Sequence, residues 1–196
     1  MYLARYNPTY DWSGNPESWS EEQKLASLHP SFRKKIEAVL RDMRAEGWDA
    51  KIFFGWRSLE KQAELVRAGR SKVYFSFHNA AVDENTPAAL AVDIVSTSKG
   101  WNDMDFFRAL GRVGKSHGLY WGGDWKSFRD YAHLQASPNS VLSSLRDGGL
   151  NAIGFATSAL ARSYEEHKPW FLLAGVSSAL SLLGLALVIR KRLRSR

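Results

Sequence analysis

Phe32, Ile36, Val39, Leu40 and Met43 recur every three or four positions through HPSFRKKIEAVLRDMRAEGW, residues 29–48. That spacing predicts a long helix with one apolar face, stopped near Gly47. SEEQKLASL, residues 20–28, predicts a shorter helix before it. DAKIFFGW then reads as a strand and SLEKQAELVRAG as a helix ended by Gly69. SKVYFSFH is an extended segment that delivers His78, and the polar residues 79–89 read as a loop. ALAVDIV is the next strand, DMDFFRALGRVGKSHG an amphipathic helix, and LYWGGDWKSFRDYAHLQ a turn-rich segment closing in a short strand. The pattern predicts an α+β fold, a small antiparallel sheet flanked by helices, over residues 1–136.

Beyond Gln135 the pattern weakens. Residues 137–168 are rich in Ser, Ala and Gly and read as a linker with short helices. Residues 170–189, WFLLAGVSSALSLLGLALVI, are twenty residues without a charge. That length crosses a bilayer core as a helix, so a transmembrane helix is expected over 169–190. Trp170 at one end and the Arg/Lys cluster at the other are the expected anchors. Gly175, Ser178, Ala179 and Ser181 give that helix a small-residue side suited to helix–helix self-association.

Charge changes the picture less than its total suggests. Of the net +7, the tail 190–196 carries five, leaving +2 for the other 189 residues. No basic stripe with interleaved aromatics appears in the body, so no nucleic-acid partner is expected. Cysteine is absent, which excludes disulfides and thiolate metal sites. Any metal must be held by histidine and carboxylate, the donors of catalytic sites.

Asp93 poses the chemical question, because it sits inside the apolar run Leu90-Ala91-Val92-Asp93-Ile94-Val95. A buried carboxylate needs a partner. His78 and His133 together with Asp93 can supply the three protein ligands of a catalytic zinc. Asp130 is then free to act as general base, and Arg57, closing the strand in FFGWRS, is the candidate cation for a developing oxyanion. The residues alone also allow Asp93 to pair with a buried arginine, and isolated histidines are commonly structural. His29, His117 and His167 take that structural reading.

Three ordered segments carry a resemblance. GWRSLEKQAELVRAGRSKV resembles the Gly-aromatic-Arg-Ser segment of the bacterial cell-wall zinc peptidases that comprise D-alanyl-D-alanine carboxypeptidases and L-alanyl-D-glutamate endopeptidases. SFH…ALAVDIV is similar to their Ser-x-His…Gly-x-Ala-x-Asp ligand segment, and GLYWGGDWKSFRDYAHLQ to their Trp-Gly-Gly-Asp-Trp…Asp-x-x-His ending. The resemblance implies the Hedgehog/D-Ala-D-Ala peptidase-like fold, Zn2+ on His78, Asp93 and His133, Asp130 as base and Arg57 as carbonyl stabiliser. Gln62, Ser76, Trp121 and Trp125 are secondary candidates for holding substrate, with Asp124 beside them.

Two departures stand out. His78 and Asp93 lie fifteen positions apart, farther than the family sets them, so a polar surface loop is read between them. Asp83 becomes a rival ligand at His-x4-Asp; the strand context favours Asp93. Ala132 and Leu134 replace the usual Pro and Phe around the last histidine.

The implied activity is zinc-dependent cleavage of the peptidoglycan stem peptide, foremost at L-alanyl-D-glutamate, in the manner of endolysins and autolysins. The alternatives are D-alanyl-D-alanine carboxypeptidase and a non-catalytic wall-binding or virion structural protein. Basic residues after the membrane helix place the tail in the cytoplasm and the catalytic domain towards the wall. MYLARYNPTYDWSGNPESW shows no apolar signal region, which conflicts with that export. A lysis enzyme held at the membrane, or one carried in a virion, eases the conflict.

Overall fold

The protein is described by a computed structural model over residues 10–83 and 86–142. The expected membrane helix, most of the linker and His167 lie outside the described residues. Among the described residues no helix is long and apolar enough to cross a membrane.

Helices α1 (Glu21–Ala26) and α2 (Pro30–Ala45) lead into strand β1 (Ala50–Phe54), followed by α3 (Leu59–Arg67). A hairpin of β2 (Ala81–Asp83) and β3 (Thr86–Pro87) precedes β4 (Ala91–Ser96). Helix α4 (Met104–Ser116), β5 (Tyr120–Trp121) and β6 (His133–Gln135) complete the order. The principal sheet runs β1-β4-β6-β5 with every pair antiparallel, as the apolar pattern predicts.

Local chemistry sets the helix ends. Ser20, Ser58 and Asp103 cap α1, α3 and α4 by accepting the backbone N–H three residues on. Pro30 opens α2, where its missing N–H costs no helical bond. Gly47 and Gly69 take positive φ just beyond α2 and α3, as expected of stops. The five apolar positions of α2 are all buried. They share one core with Ile52, Val92, Ile94, Leu134 and the α4 residues Phe106, Leu110 and Val113. Gly114 gives Leu134 its space, since a Cβ there would lie 2.5 Å from Leu134 Cδ2.

All six residues of β4 are buried, which is why it reads as a continuous apolar run. Residues 79–89 are not a plain loop. They hold the β2–β3 hairpin, with Ala81 opposite Pro87 and Asp83 opposite Thr86. The base of the hairpin is docked on the body, Ala89 N–H donating to Ser27 O at 3.0 Å and Ala88 N–H to Ala80 O at 2.9 Å. Nor is the stretch all surface, since Asn79, Ala80, Ala81, Ala88 and Ala89 are buried, and composition cannot show that two short segments pair across a turn. At the other end of the domain, packing continues past Ala136 to the buried Leu142.

Candidate metal and catalytic site

Antiparallel pairing assembles the site. Asp93 in the middle of β4 lies directly opposite His133 on β6 and Phe54 on β1. Direct partners point to the same face of a sheet, so Asp93 and His133 meet without further help. His78 arrives from outside the sheet, on a 3₁₀ turn over Phe77–Asn79. Ser76 caps that turn, accepting the His78 N–H at 3.3 Å, and Asn79 Oδ1 accepts the Ser76 N–H at 2.8 Å. The reciprocal cap fixes where the histidine points.

The His78 turn is also tied to Arg57. Arg57 N–H donates to His78 O at 3.0 Å, and Asn79 Nδ2 donates to Arg57 O at 2.9 Å. Asn79 therefore couples the first histidine to the arginine. The Ser-x-x-Asn spacing of a capping box was its legible sign.

His78 Nε2, His133 Nδ1 and Asp93 Oδ1 converge. The three separations are 3.2 Å between the ring nitrogens, 3.3 Å from His78 to Asp93, and 3.0 Å from His133 to Asp93. Hydrogen bonds on the far sides of the rings assign their tautomers. His78 Nδ1 donates to Gly55 O at 2.6 Å, and His133 Nε2 donates to Gln135 Oε1 at 2.8 Å. Gln135 is held in turn, its Nε2 donating to Ser137 O and Asn139 Oδ1. When neutral, both histidines thus present lone pairs inward, beside a carboxylate oxygen, in a buried pocket. Three such acceptors facing one another repel unless a proton or a metal cation sits among them. A tetrahedral ion with bonds of about 2.0–2.1 Å separates its ligand atoms by roughly 3.3 Å, so the edges fit zinc.

Without an ion, part of that repulsion is relieved by a proton: burial works to lower the His133 imidazole, but its hydrogen bond to Asp93 and the charges of Asp93 and Asp130 outweigh it and raise it. Burial, with Arg57 nearby, pushes the His78 imidazole down to about 4, keeping it neutral at pH 7. Burial works to raise the Asp93 carboxyl, but His78, His133 and Arg57 outweigh it and hold the group well below the usual carboxylate range. Asp130 goes the other way, raised to about 6 by burial and by the like charge of Asp93, against the pull of His133 and Arg57. Two carboxylates driven apart suit two roles, a permanent anion and a base.

Asp130 is positioned by its neighbours. Its N–H donates to Gly122 O at 3.2 Å, and the His133 N–H donates to its backbone carbonyl at 3.3 Å. Gly122 lies so close beneath the Asp130 carbonyl that a Cβ there would collide with backbone, and one on Gly123 would strike the Trp121 ring. Both glycines of Trp-Gly-Gly-Asp-Trp are therefore steric requirements.

Arg57 is buried, its guanidinium 4.9 Å from the Phe54 ring centroid and 3.7 Å from Asp93 Oδ2. Its Nε has no hydrogen-bond partner among the described residues. A buried unused donor beside the cluster is available to a substrate oxygen.

The secondary candidates divide. Trp125 does line the cluster, its ring 5.1 Å from that of His133. Trp121 packs instead on Gly111 of α4 and donates to Tyr131 O at 2.7 Å. Asp124 is exposed and paired with Lys115 at 3.0 Å. Gln62 is buried away from the three ligand atoms, its Nε2 donating to Val73 O and Ser71 Oγ. Ser76 acts through the cap already described. His117 Nε2 meets Asp42 at 2.7 Å, joining α4 to α2, and His29 Nδ1 lies 2.9 Å from Ser31 Oγ. The carboxylate that meets the two histidines is that of Asp93, while the rival Asp83 belongs to the β2–β3 hairpin. Gln135 escaped the sequence reading, although its i+2 spacing from His133 on a strand puts both on one face.

Residues 69–136 match the family described as D-alanyl-D-alanine carboxypeptidase. The chain is 30% identical over 128 residues to the peptidoglycan L-alanyl-D-glutamate endopeptidase CwlK of Bacillus subtilis (strain 168), covering 58% of this chain and 76% of that protein. Among solved structures, the Serratia marcescens L-Ala D-Glu endopeptidase ChiX is similar at 28% identity, a TM-score of 0.47, 65% of this chain and 88% of that one. The vancomycin-resistance D,D-dipeptidase VanXYg is similar at 17% identity with a TM-score of 0.35, over 62% of this chain and 55% of that one.

Proposed function

The chain belongs to the metallopeptidase family of D-alanyl-D-alanine carboxypeptidases and L-alanyl-D-glutamate endopeptidases, and from that premise we propose that it cleaves the L-alanyl-D-glutamate bond of the peptidoglycan stem with the help of zinc. The observation that carries the reading is the convergence of His78 Nε2, His133 Nδ1 and Asp93 Oδ1 at 3.0–3.3 Å in a buried pocket. Zinc bound there supplies a Lewis acid that acidifies water and polarises the scissile carbonyl.

The remaining work falls to the chain. Asp130 takes the proton of the attacking water, and its raised affinity for a proton suits it to pass that proton to the leaving amine. The Gly122 contact beneath the Asp130 backbone fixes the turn that carries the carboxylate. Arg57, seated on Phe54, offers its free Nε–H to the carbonyl oxygen as negative charge develops there. Trp125 shields one side of His133 from water. The intact set Arg57, His78, Asp93, Asp130 and His133 argues against a binding protein that has lost catalysis.

Digestion of purified peptidoglycan by the full chain, with products read by mass spectrometry, tests this directly. New L-alanine C-termini paired with D-glutamate N-termini are expected, and chelator should abolish them. Release of terminal D-alanine would instead assign the carboxypeptidase reaction, and no product from folded, zinc-loaded protein would overturn the enzyme.

The uncharged residues 170–189 and the basic tail support a membrane anchor that keeps a wall-lytic enzyme, of the endolysin or autolysin kind, beside its substrate. The chain is expected to stay with the membrane pellet through alkaline carbonate extraction. Its release into the supernatant would exclude the anchor.

A further inference from the structure

Cleavage of the stem peptide leaves Phe53 and Trp101 without a task, yet the fold spends a bulge and a braced turn on placing them. Along β1, Lys51 faces Val95 and Ile52 faces Ile94, but Phe54 is the residue that faces Asp93. Phe53 and Phe54 therefore oppose a single β4 residue, the signature of a β-bulge. In a regular strand their side chains would point to opposite faces. Here their ring centroids are 4.9 Å apart at 89°, so both stand on the Asp93 side of the sheet. Phe54 carries the Arg57 guanidinium at 4.9 Å, and Phe53 meets Trp101 edge-on at 5.2 Å. A run of aromatic rings thus leads from Arg57 along the catalytic face to solvent, where Trp101 is 49% exposed.

Trp101 is not loosely held. Asp49 accepts from Ser96 Oγ and the Ser98 N–H, and its carboxyl is lowered to about 2 by the Ser98 and Ser96 hydrogen bonds. Gly100 N–H donates to Ser96 O, Lys99 N–H to Ser96 Oγ, and Asn102 N–H to Lys99 O. The turn that carries this half-exposed indole is thus held before any ligand arrives, and the indole rests against Phe53, which lowers the entropic cost of binding.

The proposed cleavage fixes what lies beside the scissile bond, and any role for Trp101 there rests on that cleavage. L-Alanine is the first residue of the stem, and its nitrogen is joined to the lactyl group of the muramyl sugar. The sugar ring is therefore one amino acid away from the bond to be cut. Its C–H face is apolar and complements the negative face of an indole ring. We propose that Trp101, backed by Phe53, is the platform for the muramyl sugar, making the enzyme selective for stem peptides still attached to glycan.

The full chain would be assayed on a disaccharide-linked stem peptide and on the same peptide free of sugar, with Trp101→Ala and Trp101→Phe beside the parent. Trp101→Ala should lower the preference for the glycan-linked substrate about tenfold, through KM, and Trp101→Phe should restore most of it. An unchanged preference in Trp101→Ala would overturn the platform. So would weakened binding to vesicles of anionic phospholipid with the preference intact, which would assign Trp101 to a membrane surface. If the parent protein cuts neither substrate, the proposed reaction itself fails, an outcome distinct from loss of preference alone.

Discussion

Asp130→Asn should keep a full equivalent of zinc and lose roughly a hundred- to ten-thousandfold of kcat, the range a positioned general base contributes. Asparagine has the same shape, and the bond from the residue-130 N–H to Gly122 O is between backbone groups, so the loop and the Gly122 contact survive. What disappears is the proton acceptor. Zinc content by atomic absorption, read alongside kcat on glycan-linked stem peptide, separates this from a damaged metal site. A variant that lost its zinc, or one that turned over within a few-fold of the parent, would remove Asp130 from the role.

The same substitution has a stability signature in the zinc-free protein. Asp130 holds its proton to about 6, against 3.8 for an ordinary aspartate. Ionising it is therefore harder in the folded chain than in the unfolded one, and its charge opposes folding as pH rises through that window. Asp130→Asn should melt above the parent at pH 7 and converge with it below 3.8, where both side chains are neutral. An active-site group that weakens the fold it serves is the expected compromise between stability and activity.

Zinc should stabilise the protein through His78, and the effect should be large. At zinc about a thousand times its dissociation constant, binding to the folded state alone adds roughly 4 kcal/mol. For a domain of this size that raises Tm by on the order of 10 °C. His78→Ala removes one of three ligand atoms and should abolish the zinc-dependent rise together with peptidase activity. The comparison is between the same variant with and without zinc, so any cost of the cavity drops out. Gln135→Leu should give an intermediate result. His133 keeps its ring but loses the acceptor for Nε2–H, and losses of about 10- to 100-fold in metal affinity accompany such changes. A zinc-dependent rise that survives in His78→Ala would show that the ion binds elsewhere.

Much of this was legible along the chain. The faces of α2 and α4, the strands β1 and β4, and the stops at Gly47 and Gly69 follow from periodicity and backbone preference, which act within a single segment. Asp93 announced itself as a charge in an apolar run, and the set Arg57, His78, Asp93, Asp130 and His133 could be named from motif order. The hairpin at 81–87, read as a loop, was not legible, because its pairing is a relation between two very short segments, Ala81–Asp83 and Thr86–Pro87.

Residue types and helix faces thus belonged to the sequence by itself. The tertiary structure decided which atoms meet. Gly55 O and Gln135 Oε1 choose the inward nitrogens of His78 and His133. Register puts Asp93 opposite His133, the β1 bulge turns Phe53 onto the same face, and α4 draws Trp121 away while Trp125 stays at His133. The physical reason is one of range. Hydrophobic periodicity reports how one element divides between core and solvent, whereas a lone pair is aimed by hydrogen-bond partners many residues away, and only the folded chain brings them within 3 Å.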